Sequence, residues 1–207
     1  DEVRIDVETL DVSLRVGPLQ KTIRVFGDRT FRADGTLSPA RPFTRLPLRY
    51  EHARGGPDET ANPVGIHPRD RLPNLEDPAN PLLRPNDRPP PIGFGPLAPT
   101  WMPRRQHVGT YDLAWQTLRA PYLPHDFDPR FFCTAPADQL LHTPLRGGET
   151  IEVLHVWPAP RLRFHLPRCE LTTRATIAGR DEPVPLALET VLLEPAERRL
   201  DLTSRGA

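Results

Sequence analysis

Lysine is almost missing from this 207-residue chain: Lys21 is the only one, so 26 of the 27 basic residues are arginine. Arginine suits planar, bidentate pairing with carboxylates, but a GC-rich genome also writes it for lysine, and that is the plainer reading. Net charge is missing too, because 27 acidic residues cancel the 27 basic ones. The chain therefore has no overall field to draw it to nucleic acid or anionic lipid, and it lacks the self-repulsion of a disordered chain. Cysteine is scarce. Cys133 and Cys169 are too few and too far apart for a disulfide framework or a zinc knuckle, and they read as buried small apolar residues of a reducing compartment. No apolar run reaches 18 residues, which excludes a membrane-spanning helix. What the chain has in quantity is proline, 28 residues beside 13 glycines. Proline removes an amide donor and clashes inside a helix, so long helical architectures are excluded.

The first fifty residues carry strand patterns. Val3, Ile5 and Val7 alternate with Arg4 and Asp6, and Val12, Leu14 and Val16 continue with period two. Gly17-Pro18 interrupts the pattern before Ile23-Arg24-Val25-Phe26, a hairpin signal. Phe43 to Tyr50 reads as a proline-punctuated strand. From Arg54 to Pro103 the regime changes: 13 prolines fall there and no periodicity lasts. Leu72, Leu75, Leu82, Leu83, Ile92, Phe94, Leu97 and Trp101 are too many large apolar groups for a solvated linker, so an ordered irregular loop is expected. One helix is expected over about residues 110–119, capped by Thr110, with Tyr111, Ala114, Trp115 and Leu118 on one face and Trp115 read as core beneath the loop. A short helical turn is expected within Ala135 to Leu141. Strand patterns return at Glu149 to Val156, Leu162 to Leu166 and Leu171 to Ile177. Leu186 to Leu193 and Arg199 to Leu202 read as a closing hairpin. Together these predict a mainly β chain, an antiparallel sandwich or open barrel with one short helix, folded as a single domain over 1–207. Residues 54–103 would be an insertion packed on it or projecting from it.

The sequence offers no coherent catalytic set. No histidine pair has a metal-binding spacing, and His125-Asp126-Phe127-Asp128 lies between prolines, where aspartates commonly bond nearby amides. Cys133 follows two phenylalanines, a setting that raises a thiol pKa. A Gly-x-Ser-x-Gly elbow and a glycine-rich phosphate loop are both absent. Neither a metal nor another cofactor is expected. Two alternatives stay open. One is a hydrolase using Tyr50-Glu51-His52 and the His125–Asp128 segment; the other is a carbohydrate-binding sandwich presenting Trp101.

A succession of short motifs is more specific. Tyr50-Glu51-His52-Ala53-Arg54-Gly55-Gly56, Asn62-Pro63-Val64-Gly65 and Leu72-Pro73-Asn74-Leu75-Glu76 come first. Gly93-Phe94-Gly95-Pro96, Trp101-x-Pro103-Arg104 and Gly109-Thr110-Tyr111-Asp112-x-x-Trp115 follow. Leu123-Pro124-x-Asp126-Phe127-Asp128-x-Arg130-Phe131-Phe132, Ala135-Pro136-x-Asp138-Gln139 and Arg146-Gly147-Gly148-Glu149 complete it. In this order they resemble the bacterial family called domain of unknown function (DUF) 2169, with Arg54 and His52 departing from residues frequent in the family. The resemblance implies a cytoplasmic, non-enzymatic adaptor or chaperone of type VI secretion. Its partners would be an effector toxin and the secretion spike protein, with no nucleic acid and no membrane. The expected contact residues are Tyr50, Glu51, Asn62, Asn74, Trp101, Arg104, Asp126, Arg130, Asp138 and Gln139. Each of them also has a structural reading: the asparagines as turn formers, and Arg130 as a brace paired with Asp112 or Asp126.

Overall fold

The computed structural model describes residues 6–53, 72–156, 159–177 and 179–206. The Val3–Ile5 part of the first strand pattern lies outside them, as do Arg54 and Asn62. Strands β1 (Thr9–Val16) and β2 (Leu19–Phe26) form the expected hairpin, with Gly17 at φ +54° in the turn. β3 is the two-residue Leu75–Glu76. Two short helices follow, α1 (Met102–Arg105) and α2 (Leu113–Leu118). The C-terminal half supplies β4 (Thr150–Val156), β5 (Ala159–His165), β6 (Leu171–Ile177), β7 (Arg180–Glu194) and β8 (Arg199–Gly206). The strands make two antiparallel sheets, ordered β3-β2-β1-β4-β5 and β6-β7-β8, and neither closes into a barrel. No helix among the described residues is long and apolar enough to cross a membrane.

The chain divides into two compact units. One holds Asp1–Asp11 and Thr22–Leu140, the other Val12–Lys21 and Leu141–Ala207. In the first, Ile23 and Val25 alternate inward on β2, and Val25 pairs with Leu75 of β3. Leu82, Leu97 and Trp101 of the proline-rich stretch are buried as well, whereas Leu83 is exposed. That stretch is ordered from 72 onward mainly by turns. Asp77 and Asp87 carboxylates accept backbone amides of Ala79, Leu83 and Arg84, which satisfies donors that prolines leave without a ladder. Phe43 to Tyr50 is not a strand. It makes only isolated bridges, Val7 to Phe43 and Arg49 to Phe94, and ends in a 3-10 turn at Tyr50–His52. Pro42 and Pro47 lack the amide donors that a continuous ladder would use.

In the second unit Val16, Ile151, Val153 and Leu166 form a buried cluster. Leu188, Val191 and Leu193 of β7 and Leu200 and Leu202 of β8 pack against it, so within this unit the β1–β4 part of the first sheet and the β7–β8 part of the second face each other across an apolar layer. β7 keeps its apolar side chains on this face despite a change of phase. Leu188 pairs with Ser204 and Thr190 with Thr203, so Glu189 is the extra residue of a bulge. The bulge turns Val191 and Leu193 to the side that Leu188 already faces. Pro183 and Pro185 are tolerated in β7 because they pair with β6 alone, beyond the end of the β8 ladder at Leu186. The Arg146–Glu149 motif is the turn that launches β4. Gly147 sits at φ +86°, where a Cβ would lie 2.6 Å from the Pro167 carbonyl, and Glu149 accepts the Arg146 amide at 2.7 Å.

Candidate functional site

Five of the expected contact residues, Tyr50, Trp101, Arg104, Asp138 and Gln139, lie in short turns and helix α1 of the first unit. Trp101 is buried at 2% exposure, with its ring edge-on to Tyr50 at 6.0 Å. This placement removes it as a sugar-stacking platform. Gly93 allows the approach, because a Cβ there would sit 2.8 Å from the Tyr50 ring. Burial pushes the Tyr50 hydroxyl well above its ordinary pKa, and the nearby Asp138 carboxylate adds to the rise. Tyr50 is therefore a neutral, structural phenol. Arg104 on α1 donates from Nε to the Phe131 carbonyl at 2.8 Å and from a terminal nitrogen to the Leu97 carbonyl at 2.7 Å. Its guanidinium also covers the Phe131 ring. Arg104 thus ties α1 to two loops, using its fork of donors on backbone carbonyls. Gln139, in a 3-10 turn at Ala137–Gln139, accepts the Gly95 amide at 3.3 Å, and Asp138 beside it is exposed. That turn is the short helical turn expected near residue 137.

Asn74 and Glu51 lie nearby in the chain fold. Asn74 is buried, donating from its side chain to the Phe26 carbonyl at 3.0 Å and from its amide to the His52 carbonyl. It clamps the end of β2 to the 3-10 turn whose middle residue is Glu51. Beneath them runs a feature that the sequence reading missed. Arg29 and Glu76 are both buried and ion-paired, and the Arg29 guanidinium lies 3.6 Å over the Phe26 ring. The other Glu76 oxygen accepts the Leu82 amide at 3.1 Å. Burial pushes the carboxyl up and the guanidinium down, each only partly offset by the partner.

The second neighbourhood runs from His107 to Leu140. Asp126 is exposed and accepts both the amide and the hydroxyl of Thr110, at 3.0 and 2.7 Å. These bonds, the hydroxyl first, hold its carboxyl below the usual range. Thr110 is therefore engaged and does not cap the helix. Asp112 does, accepting the Trp115 amide at 2.8 Å, so α2 starts at Leu113 rather than 110. Arg130 pairs with Asp128, not with Asp112 or Asp126. Its Nε donates to Asp128 at 2.7 Å and its amide donates to the other oxygen. These contacts, with His107 at 3.2 Å as a further neighbour, lower the Asp128 carboxyl to about 2. Among the described residues no group of three or more histidine, cysteine or acidic side chains is placed to hold a metal. Cys169 is exposed rather than buried, and Cys133 is half-buried.

The helix face of Tyr111, Ala114, Trp115 and Leu118 is mostly exposed, and the core reading of Trp115 holds only in part. Only Trp115 is half-buried, with its indole N–H bonded to the Tyr122 carbonyl. Tyr111 stacks edge-on to Trp115 at 4.6 Å yet stays exposed, and Leu113 and Leu118 are 75% and 86% exposed. Tyr122, Leu123, Phe132 and Leu140 are exposed too, so most of the exposed large apolar side chains fall between residues 111 and 140. The signal was visible in part. A six-residue helix between Asp112 and Pro121 carries apolar residues on more than one face, which no single core contact can absorb.

The architecture is that of a mainly β protein of two antiparallel sheets. The chain belongs to the family described as uncharacterized protein conserved in bacteria (DUF2169), whose family model matches residues 3–205. Neither a curated protein nor a solved structure matches it.

Proposed function

We propose that the protein is a non-enzymatic adaptor of type VI secretion, binding an effector toxin in the cytoplasm and assisting its loading onto the secretion spike. The observation that carries the reading is the concentration of exposed large apolar side chains between residues 111 and 140 in the first unit. Exposed apolar patches on folded proteins mark contact surfaces, and Tyr111, Tyr122 and Phe132 are of the aromatic type enriched at the centres of interfaces. The acids nearby are already engaged. Asp126 holds Thr110, and Asp128 holds Arg130 and His107, which are fold-bracing arrangements rather than a poised acid–base pair. The partner is a polypeptide with an apolar docking face, and no chemistry is done on it.

The test is co-expression of the tagged chain with the toxin encoded beside it. Stoichiometric co-purification is expected, lost on changing Leu113→Asp and Leu118→Asp together. Burying one leucine is worth about 1.5–3 kcal/mol, so the double variant should bind at least about a hundredfold more weakly. Both side chains are exposed, so the near-UV circular dichroism of the double variant should match the parent. Failure of any secretion component to co-purify with the parent chain would refute the adaptor reading.

A further inference from the structure

We infer that the outer edge of β6, which among the described residues pairs with β7 alone, is a docking edge for an extended strand of a partner polypeptide, with an acidic residue set opposite Arg174. β6 lies in the second unit and the exposed side chains of 111–140 in the first, and the inference rests on the adaptor reading only for the partner's identity. Four strands end the two sheets: β3, β5, β6 and β8. Natural edges are guarded by shortness, proline or charge. β3 has two residues; β5 carries Pro160, Arg161 and Arg163; β8 carries Arg199, Asp201 and Arg205. β6 is Leu-Thr-Thr-Arg-Ala-Thr-Ile, seven residues without proline and with one charge. Its backbone bonds among the described residues all go to β7.

An unguarded edge of this kind presents a row of N–H and C=O groups that only another extended chain can pair along its length. The side chains define that chain further. Thr172 to Arg174 and Thr176 are exposed, and Leu171 is 49% exposed, so both faces of the strand are open to a neighbour. Leu171, Thr173 and Ala175 share one face, Thr172, Arg174 and Thr176 the other. Arg174 stands opposite Pro183, which offers no charge, and it makes no ion pair among the described residues. The partner strand is therefore apolar at alternate positions and acidic where it meets Arg174. A second copy of this chain is the poorer occupant. In the two-fold antiparallel pairing centred on β6, Arg174 would face its own copy, and like charges directly opposite are destabilising.

The experiment uses the full chain and two synthetic peptides, Val-Thr-Val-Glu-Val-Thr-Val and the same peptide with lysine replacing glutamate. Hydrogen exchange is followed at residues 171–177. The acidic peptide should slow exchange there and bind about tenfold more tightly than the basic one. Arg174→Glu, at an exposed position, should invert the preference. Unchanged exchange along β6, or slowing that ignores both the peptide charge and Arg174→Glu, overturns the inference. So does a stable dimer whose β6 amides are already protected without peptide. The adaptor reading is judged separately by toxin co-purification, so one can fail while the other stands.

Discussion

Removing the Glu76 carboxylate should destabilise the first unit more than any other single loss of charge. Arg29 would keep a buried guanidinium with no counter-charge in contact, and its Nε already lacks a hydrogen-bond partner. Breaking a buried pair from one side costs about 3–5 kcal/mol. Glu76→Ala also strips the acceptor from the buried Leu82 amide, worth about 1–3 kcal/mol. The two costs overlap, because a loop that relaxes enough to hydrate one group also hydrates the other, so about 4 kcal/mol is expected. That is a large fraction of the 5–15 kcal/mol typical of a whole domain. The pair itself should be worth little. Burial shifts both groups toward their neutral forms, so desolvation outweighs their attraction, and Arg29→Met with Glu76→Leu should be near neutral or stabilising. Urea unfolding measures both. Exchange of the β2 and β3 amides localises the effect to the first unit, where the strands pair through Arg24–Glu76 and Val25–Leu75. A cost below about 1 kcal/mol for Glu76→Ala, or a double variant less stable than the single one, would refute the reasoning.

Other expectations follow from the same geometry. Gly27→Ala would place a Cβ 1.7 Å from the Arg41 carbonyl, so the backbone at the end of β2 or at Arg41 must move; the variant should lose about 3 kcal/mol in thermal unfolding. Asp112→Ala removes the α2 cap and should cost about 1 kcal/mol, read as faster exchange of the Trp115 and Gln116 amides. The Asp128 carboxyl should titrate near 2 by NMR and move back toward 3.8 in Arg130→Ala. Because its folded-state pKa is depressed, the stability linked to Asp128 is present above about pH 4 and is lost as pH falls toward 2. A normal Asp128 titration in the parent would mean that the pairing with Arg130 does not persist in solution.

Where side chains alternate around a turn, the fold was legible from residues alone. The β1–β2 hairpin and β4 to β6 fall where the patterns place them, and the closing hairpin does too, except that β7 begins at Arg180, six residues before the expected Leu186, and β8 runs on to Gly206. Strand periodicity survives because each of these segments pairs with its sequence neighbour, and β4 also finds β1 through the apolar face of Leu14 and Val16. The phase change in β7 is visible as Leu186 and Leu188 followed by Val191 and Leu193. Only the pairing with β8 shows that a bulge at Glu189 resolves it.

Competition between partners is what the sequence does not settle. Thr110 and Asp112 are both competent caps, and Asp126, sixteen residues away from Thr110, decides between them by taking its hydroxyl. Arg130 has Asp112, Asp126 and Asp128 within reach along the chain, and local geometry awards it to Asp128. Trp101, Arg104 and Asn74 look like contact residues by type, yet their polar atoms and rings are spent on Phe26, Leu97, Phe131 and Tyr50 inside the first unit. By itself the sequence determined a neutral, mainly β chain, because composition and alternation are local properties, and its ordered motifs pointed to the DUF2169 family. Tertiary structure decided which side chains face inward, since burial depends on segments far apart in the chain. It buried Trp101 and the Arg29–Glu76 pair, and it left Leu113, Leu118 and Arg174 exposed.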